Sequence, residues 1–336
     1  MENQVIIDVK NLSVSFFTDR RKNNAIRDVS LRLERGKTLC VVGESGCGKS
    51  VSASAIMRLL PELSRIEHGE ITYYGGPEPV RLDRLPPDGE VIRKLRGGDI
   101  AMIFQDPMTA LNPVYTIGYQ ISENLLEHDR KMTRKEAMVK SVELLRSMDI
   151  PLPEQRANEY PHQFSGGMRQ RAMIAMAMAC NPKLLIADEP TTALDVTVQA
   201  QIFELVNRLK KEYDTSVLLI THDMGVVTEM ADNVSVMYMG YIVEEGTVDD
   251  VLRHPAHPYT KALLRSIPVL GRGKNQELTP IRGATPDPFH RPPGCQFEPR
   301  CDYACEDCKA CMPERQQVEG GHFVRCLRYR EVLSDE

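Results

Sequence analysis

A glycine-rich stretch at residues 43–50 (GESGCGKS) carries the clearest chemical signal in the chain. It fits G-x-x-x-x-G-K-[ST], the phosphate-binding loop of nucleotide triphosphatases. An apolar run, Thr38–Val42, precedes it and a helical pattern, 49–60, follows it. Glycines let backbone N–H groups converge on phosphate oxygens, and the helix adds the positive end of its dipole. The alternative is a chance Gly-rich turn, but this strand–loop–helix context favours a phosphate site.

Each residue type in this loop has an expected role. We expect Lys49 to reach the β- and γ-phosphates and the Ser50 hydroxyl to ligate Mg²⁺. The predicted nucleotide-binding residues of the loop are Gly43, Glu44, Ser45, Gly46, Cys47, Gly48, Lys49, Ser50 and Val51.

Two acids follow a fully apolar strand pattern. Residues 184–187 (LLIA) run directly into Asp188 and Glu189. Asp188 is placed to hold Mg²⁺, and Glu189 to orient and polarise an attacking water. The alternative is a pair of solvated strand-end acids, which the upstream phosphate loop disfavours.

Single polar residues end two other apolar strand patterns. Gln105 follows 99–104, and His222 follows 217–221. Gln105 could ligate Mg²⁺ through its carbonyl oxygen or position a water, and His222 could sense the γ-phosphate. Gln105 alone is a weak signal. A lone His is usually structural, but His222 ends a strand beside two strands that carry candidate catalytic groups.

A second glycine-rich turn, residues 164–171 (FSGGMRQR), opens another predicted helix. Ser165 is a favourable N-cap, while Gly166 and Gly167 expose backbone N–H groups at the positive helix end. The chain therefore carries a second predicted anion site. Asp195 lies downstream, in a stretch (TTALD) that begins the next helix.

Composition limits the class of protein. The chain has 336 residues, 42% of them hydrophobic, and a net charge of −5, so no broad basic surface argues for nucleic acid. No run of 18 apolar residues occurs, and the first ten residues lack the form of a signal peptide. We expect a cytoplasmic globular protein with one large or two smaller domains.

Strand and helix patterns alternate along most of the chain, which predicts an α/β fold. Strands are predicted at 5–9, 13–17 and 25–33, with a loop at 19–24. Helical patterns at 117–128 and at 133–148, the second opened by a Thr133–Glu136 capping box, interrupt the alternation and indicate an inserted helical subdomain, about 106–182. Residues 106–113 are predicted as a loop, and residues 234–238 and 241–245 as a hairpin. Proline and glycine become frequent from residue 268, so domains are predicted at 1–267 and 268–336.

These motifs, in this order, resemble those of ATP-binding cassette (ABC) ATPases over nearly the whole chain. That resemblance implies a P-loop, RecA-like α/β core with an antiparallel β-subdomain and an inserted helical subdomain. It also implies ATP and Mg²⁺ as ligands. The motifs match the Walker A loop (43–50), the Q-loop glutamine (Gln105), the signature (164–170), Walker B with its catalytic glutamate (184–189), the D-loop (191–195) and the switch histidine (His222). Phe16 takes the place of the family's base-stacking aromatic residue, usually Tyr, although the pattern also fits an ordinary strand aromatic.

The subgroup resemblance is to the oligopeptide, dipeptide and nickel importers. It rests on DPMTALNP after Gln105, HPAHPYTKALL at 254–264, and GCQFEPRC at 294–301. It implies an ATP-hydrolysing subunit on the cytoplasmic face of the inner membrane, peripheral to two integral-membrane permeases. Further implied partners are a second ATPase, either related or another copy, and an extracellular or periplasmic solute-binding protein.

The resemblance also implies a head-to-tail ATPase dimer. Each ATP then lies between the phosphate loop of one chain and the Ser165–Gly166–Gly167 turn of the other. Three alternatives stay open: an importer of nickel or another small solute, a soluble cassette ATPase of translation or DNA repair, and a metal-responsive binding module.

Six of the nine cysteines crowd the C-terminal end. Such a cluster in a reducing compartment indicates metal binding before disulfides. The family resemblance implies Cys295, Cys301, Cys308 and Cys326 as ligands of a [4Fe–4S] cluster. The local spacing C-x-x-C-x-x-C offers a different set, formed by Cys305, Cys308 and Cys311. Zinc is the rival metal, and unmetallated thiols are the remaining alternative.

Overall fold

The computed structural model describes residues 4–18, 21–192, 194–266 and 280–335. Its strands are β1 Val5–Thr18, β2 Arg21–Glu34, β3 Thr38–Val42, β4 Ser64–Tyr73, β5 Val80–Arg81, β6 Ile100–Ile103, β7 Leu184–Asp188, β8 Ser216–Thr221, β9 Asn233–Tyr238, β10 Tyr241–Thr247, β11 Gln316–Glu319 and β12 His322–Val324. Its helices are α1 Lys49–Ile56, α2 Glu90–Leu95, α3 Pro107–Ala110, α4 Ile117–His128, α5 Arg134–Ser147, α6 Pro153–Arg156, α7 Gly166–Met178, α8 Val196–Tyr213, α9 Met224–Met230, α10 Val248–Arg253, α11 Pro258–Arg265, α12 Glu306–Ala310 and α13 Tyr329–Ser334. The predicted boundary between residues 267 and 268 lies outside the described residues.

The predicted elements around the motifs are confirmed, several of them at the same residues. Strand β3 and helix α4 have the predicted bounds. Thr133 and Glu136 form the expected capping box at the start of α5. Local sequence signals suffice here because the apolar run of β3 and the caps of the helices are set by neighbouring residues.

Four local predictions are wrong. Strand β1 is continuous where two strands were expected, and β2 already begins at Arg21, inside the predicted loop. Helix α1 ends at Ile56 instead of residue 60. The stretch after Gln105 contains α3, which Asp106 caps by accepting a hydrogen bond from the Met108 N–H at 2.8 Å. Long-range strand pairing decides the two strands and a side-chain cap decides α3, and alternation of residue types reports neither.

The chain divides into two compact units, and unit 1 comprises residues 1–7, 33–38 and 72–220. Its parallel strands run in the order β6–β7–β8, with Asp188 at the end of β7 paired with Ile220 of β8. All five residues of β7 are buried. The parallel strands bring their carboxyl ends to one edge, where loops carry the polar residues.

Unit 1 also contains the predicted helical block. Helices α4, α5 and α7 pack against one another in this block. Ser122 of α4 and Ser141 of α5 share a buried hydrogen bond of 2.9 Å. Helix α7 of this block begins with the glycine-rich turn.

Unit 2 comprises residues 8–32, 39–71 and 221–336. It holds a mixed sheet in the order β11–β12–β10–β9–β3, in which β3 and β9 are parallel. The hairpin of β9 and β10 is antiparallel, as predicted, and β12 adds to β10 with Glu244 opposite Val324. Most of β2, β1 and β4 forms a second sheet in that order. The C-terminal tail therefore extends the mixed sheet of its unit by two strands that the sequence did not predict.

Candidate functional site

The phosphate loop is held against its own unit by close backbone approach. A Cβ atom at Gly43 would lie 2.1 Å from the carbonyl oxygen of Met237, so only glycine fits there. Gly48, the N-cap residue of α1, has φ 111°, which is costly for other residues. The Gly240 N–H donates to the Cys47 carbonyl at 2.8 Å. The sequence predicted these glycines, and the structure gives the reason for two of them.

Lys49 already points into the loop. Its ammonium donates to the carbonyl oxygens of Gly43 and Glu44, at 2.7 and 3.1 Å, and the residue is 4% exposed. A buried ammonium surrounded by the carbonyls of a curled loop is well placed to receive phosphate oxygens. Burial raises the pKa of the Cys47 thiol in the same loop, which keeps it a neutral packing residue.

Two polar residues of the predicted site come together in unit 1. The Gln105 side-chain amide donates to the Glu189 carboxylate at 3.0 Å. Gln105 follows β6 and Glu189 follows β7, and these strands are adjacent and parallel. The Thr192 hydroxyl donates to the same carboxylate oxygen at 3.2 Å. Glu189 is thus oriented by two donors, as a residue that must aim at a water would need to be.

The backbone at Glu189 is in an unusual conformation. Glu189 has φ 45°, in the left-handed region that non-glycine residues rarely adopt. Its N–H donates to the Ile220 carbonyl at 2.9 Å, which continues the pairing of β7 with β8 past Asp188. Asp188 is 5% exposed. Strain of this kind at a strand end is a recurrent feature of functional sites.

The second glycine-rich turn is capped by its own serine. The Ser165 hydroxyl accepts from the Met168 N–H at 3.3 Å, as predicted for an N-cap. A Cβ at Gly167 would lie 2.9 Å from Val198, in the first turn of α8. Asp195 caps that helix by accepting from the Val198 N–H at 3.0 Å. Unit 1 therefore brings the predicted signature turn and the predicted D-loop residue next to each other.

The remaining predicted nucleotide residues lie at strand ends or on strands. His222 directly follows β8 and is exposed. Phe16 and Phe17 point to opposite faces of β1, and the guanidinium of Arg65 lies 5.3 Å from the Phe17 ring centre. Phe16 is half-buried.

The family-implied cysteine set shares one cavity. Cys295, Cys301, Cys308 and Cys326 line one small cavity together with His257 and Phe297. The Cys305 sulfur lies 3.4 Å from that of Cys308, and Cys311 is exposed. Across the described residues, no three His, Cys, Asp or Glu side chains are arranged to hold a single metal ion.

Sequence reasoning missed a set of residues that hold Glu44. Tyr259 accepts from the Glu44 N–H at 2.8 Å, and Arg300 donates to the Glu44 carboxylate at 2.7 Å. Both lie more than 200 positions from Glu44 in the chain. No local pattern could have linked them, because the contacts arise from tertiary folding.

Comparisons with known proteins agree with this geometry. The family profile "ABC transporter" matches residues 26–192, and "Oligopeptide/dipeptide transporter, C-terminal region" matches residues 243–308. The oligopeptide transport ATP-binding protein OppD of Bacillus subtilis is 49% identical over 95% of this chain and 88% of its own length. The dipeptide transport ATP-binding protein DppD of Haemophilus influenzae is 48% identical over 96% of this chain and 94% of its own length.

A solved structure gives the same result for the cassette. The dimeric post-hydrolysis structure of the ATP-binding cassette MJ0796, bound to ADP and Pi, superimposes with a TM-score of 0.63 and 27% identity. The superposition covers 72% of this chain and 99% of the MJ0796 chain. The fold and site thus define a nucleotide triphosphatase of the cassette type. The chain belongs to the ABC transporter ATPases, of the oligopeptide/dipeptide importer type. In the described part of the chain no helix is long and apolar enough to cross a membrane.

Proposed function

We propose that this chain is the ATP-hydrolysing subunit of a membrane importer and energises the uptake of dipeptides and oligopeptides. The observation that carries the proposal is that likeness to named peptide-transport ATPases runs through both the cassette and the C-terminal region. The proposed cassette spans 1–267, with a helical subdomain at about 106–182, and the proposed C-terminal extension spans 268–336.

The proposed site assigns one task to each residue. The loop 43–51 binds the triphosphate, with Lys49 on the β- and γ-phosphates, and Phe16 stacks on the base. Mg²⁺ neutralises charge on the phosphates when bound, and Ser50, Gln105 and Asp188 would hold it. The oxygen donors of these three side chains suit that hard cation.

Hydrolysis is assigned to Glu189. Its carboxylate accepts a hydrogen bond from the attacking water and aims that water at the γ-phosphorus. Gln105 holds the carboxylate in place through the 3.0 Å hydrogen bond, and His222 contacts the γ-phosphate. Little covalent chemistry is asked of the protein, because phosphoryl transfer depends mainly on positioning and charge.

The proposed working state is a head-to-tail dimer of ATPase subunits. The turn formed by Ser165, Gly166 and Gly167 would contact the ATP held by the phosphate loop of the other subunit. Its exposed serine and its position at a helix start support this role. Asp195 lies at the same edge. The second subunit is a related ATPase or another copy of this chain.

A cluster of exposed apolar side chains in unit 1 supports docking to two permeases at the cytoplasmic face of the membrane. Met108, Val114, Tyr115 and Tyr119 are 44–69% exposed and follow Gln105 closely in the chain. The rings of Tyr115 and Tyr119 stack at 4.8 Å. Exposed apolar patches mark contact surfaces, and this one links the catalytic glutamine to the proposed permease contact. The solute-binding protein would act on the opposite side of the membrane.

The test of the catalytic assignment is Glu189→Gln. Loss of the carboxylate removes the acceptor for the water proton, so we expect ATP turnover to fall about 100-fold or more. ATP binding should persist, because Glu189 is not in the phosphate loop. Glu204→Gln, an exposed residue of α8, is the matched control and should leave turnover unchanged. Normal ATPase activity in Glu189→Gln would reject the assignment.

For the tail we propose a [4Fe–4S] cluster on Cys295, Cys301, Cys308 and Cys326. Support comes from the cavity that these four side chains share. Four thiolates suit such a cluster, and these four cysteines would hold it.

Burial also affects the protonation of these thiols. Burial raises the pKa of Cys295 to about 11 and those of Cys301 and Cys326 to about 12. At neutral pH these thiols would keep their protons unless a cation replaced them. The proposed cluster is structural or regulatory.

Iron content measures this proposal directly. Anaerobically purified protein should be brown and contain about four irons per chain. Cys326→Ser should lose the iron, whereas Cys311→Ser should keep it. Cys305→Ser distinguishes the two ligand sets, since the C-x-x-C-x-x-C set requires Cys305 and the proposed set does not. A colourless protein with stoichiometric zinc would reject the proposal.

A further inference from the structure

A buried arginine of the C-terminal tail forms hydrogen bonds with the phosphate loop. Arg300 is 5% exposed, yet it carries a full charge. Its two terminal nitrogens donate to the two carboxylate oxygens of Glu44, at 2.7 and 3.0 Å. Its Nε donates to the Arg282 carbonyl at 2.9 Å, and its Nη1 donates to the Tyr238 hydroxyl at 3.3 Å. This two-pronged pairing raises the pKa of Arg300.

Glu44 is the second residue of the phosphate loop and is fixed by each of its polar groups. Its N–H donates to the buried Tyr259 hydroxyl at 2.8 Å. Its carbonyl accepts from Lys49 at 3.1 Å. The Thr285 hydroxyl adds a third donor to the carboxylate, at 3.3 Å. Arg300 therefore supplies two of the hydrogen bonds that hold Glu44 in the loop.

The Arg300–Glu44 ion pair also reduces electrostatic repulsion between the loop and a bound triphosphate. A loop that binds a triphosphate contains a carboxylate, at Glu44, which would repel the ligand if it were unpaired. Arg300 neutralises this charge in a half-buried place where water screens poorly, since the Glu44 side chain is only 28% exposed. A guanidinium matches both carboxylate oxygens at once, which a lysine ammonium does not.

The backbone that carries Arg300 belongs to the cysteine-bearing segment. The Cys301 N–H donates to the Glu298 carbonyl at 3.1 Å, and the Glu298 N–H donates to the Cys295 carbonyl at 3.1 Å. The Cys295 N–H donates in turn to the Cys308 carbonyl at 2.7 Å. Arg300 thus sits on a turn whose two ends are cysteines of the shared cavity.

We propose that Arg300 is a positioning residue of the nucleotide site, which holds Glu44 neutralised and the phosphate loop open for ATP, and makes ATP affinity depend on the folded cysteine-bearing segment. The proposal deepens the proposed function, because it rests on the assignment of residues 43–50 as the ATP-binding loop. It adds a link from the C-terminal extension to that loop within unit 2.

The test is a double-mutant cycle on ATP affinity, measured on the full-length chain with its partners. Arg300→Gln should weaken ATP binding about tenfold, the factor that corresponds to 1.4 kcal/mol, while kcat changes less than twofold. The variant Glu44→Gln/Arg300→Gln should recover most of the affinity, because no unpaired charge remains beside the phosphates. Arg300→Lys keeps the positive charge but cannot pair with both carboxylate oxygens at once. Its ATP affinity should lie between those of the wild type and Arg300→Gln.

Arg315→Gln is the matched control. Arg315 is also a tail arginine that pairs with a glutamate of unit 2, Glu245, and it is more exposed. It should leave ATP affinity unchanged. The melting temperature of each variant, followed by circular dichroism, shows which variants fold.

A second arm tests the link to the cysteines. Cys301→Ser should weaken ATP binding in the wild-type background and have no further effect in Glu44→Gln/Arg300→Gln. Equal losses in both backgrounds would overturn the link. Wild-type affinity in folded Arg300→Gln, or equal loss in Arg300→Gln and the double variant, would overturn the positioning role. Failure of the wild-type chain to bind ATP would instead reject the proposed function.

Discussion

The chain contains two glycine-rich turns that open helices, and they are built in different ways. The phosphate loop before α1 has no side-chain cap; a left-handed glycine, Gly48, occupies the N-cap position. Tertiary contacts hold it, among them Tyr259 and Arg300 on Glu44. The turn before α7 is capped by its own Ser165, and its first residues are exposed.

The difference indicates which of the two turns can form a phosphate site without a second chain. Contacts within the chain shape the phosphate loop, and its lysine is buried among loop carbonyls. The loop can therefore bind a triphosphate without residues from a second chain. The Ser165 turn has backbone donors at a helix start, and its first residues are exposed. In the proposed head-to-tail dimer a second chain completes the site at this turn.

The largest expected effect on ATP affinity comes from filling the close approach under the phosphate loop. In Gly43→Ala the new Cβ would lie 2.1 Å from the Met237 carbonyl oxygen, so loop or strand must shift. We expect ATP affinity to drop tenfold or more, since misfits of this kind cost about 1–3 kcal/mol. Isothermal titration with ATP measures the change.

Its control is Gly320→Ala, another glycine with positive φ but with open space around it. Gly320→Ala should cost a little stability and leave ATP affinity as it was. If both variants bound ATP like the wild type, the close packing of the phosphate loop would not matter for binding.

A second substitution blocks the exposed turn without touching the phosphate loop. The Cβ of Gly166→Arg meets only Leu194, at an ordinary 3.6 Å, so the chain should fold. We expect ATP affinity of the isolated chain to be unchanged, while ATP turnover of the assembled transporter falls about 100-fold, a usual effect of removing charge-stabilising donors.

Gly321→Arg, in open space in the tail hairpin, is the control for an added arginine and should turn over normally. A drop in the ATP affinity of isolated Gly166→Arg would mean that the turn acts within its own chain, and the contrast between the two turns would be lost.

The smallest effects separate capping from catalysis. Ser165 and Thr133 each accept a hydrogen bond of 3.3 Å from the third residue of their helix. Replacing either by Ala should lower the free energy of unfolding by about 1 kcal/mol. Only Ser165→Ala should also reduce ATP turnover. Equal turnover in the two variants would assign Ser165 to capping alone.

Sequence reasoning located the local parts of this site and missed the long-range ones. The capped starts of α5 and α7 and the strand ends at Gln105 and Glu189 were predictable, because neighbouring residues determine them. Arg300 was not, since it meets Glu44 across 256 positions of chain. Strand β12 was missed for the same reason: its three residues carry too weak a pattern, and only pairing with β10 makes them a strand.

The contrast between the turns is tested most directly by the mass and nucleotide content of the assembly that contains Glu189→Gln. With hydrolysis blocked and Mg²⁺–ATP present, gel filtration with light scattering should show two ATPase subunits that retain bound ATP, and Gly166→Arg in both subunits should abolish that species. Retention of ATP by a single ATPase subunit, with no dependence on Gly166, would contradict a nucleotide held between two chains.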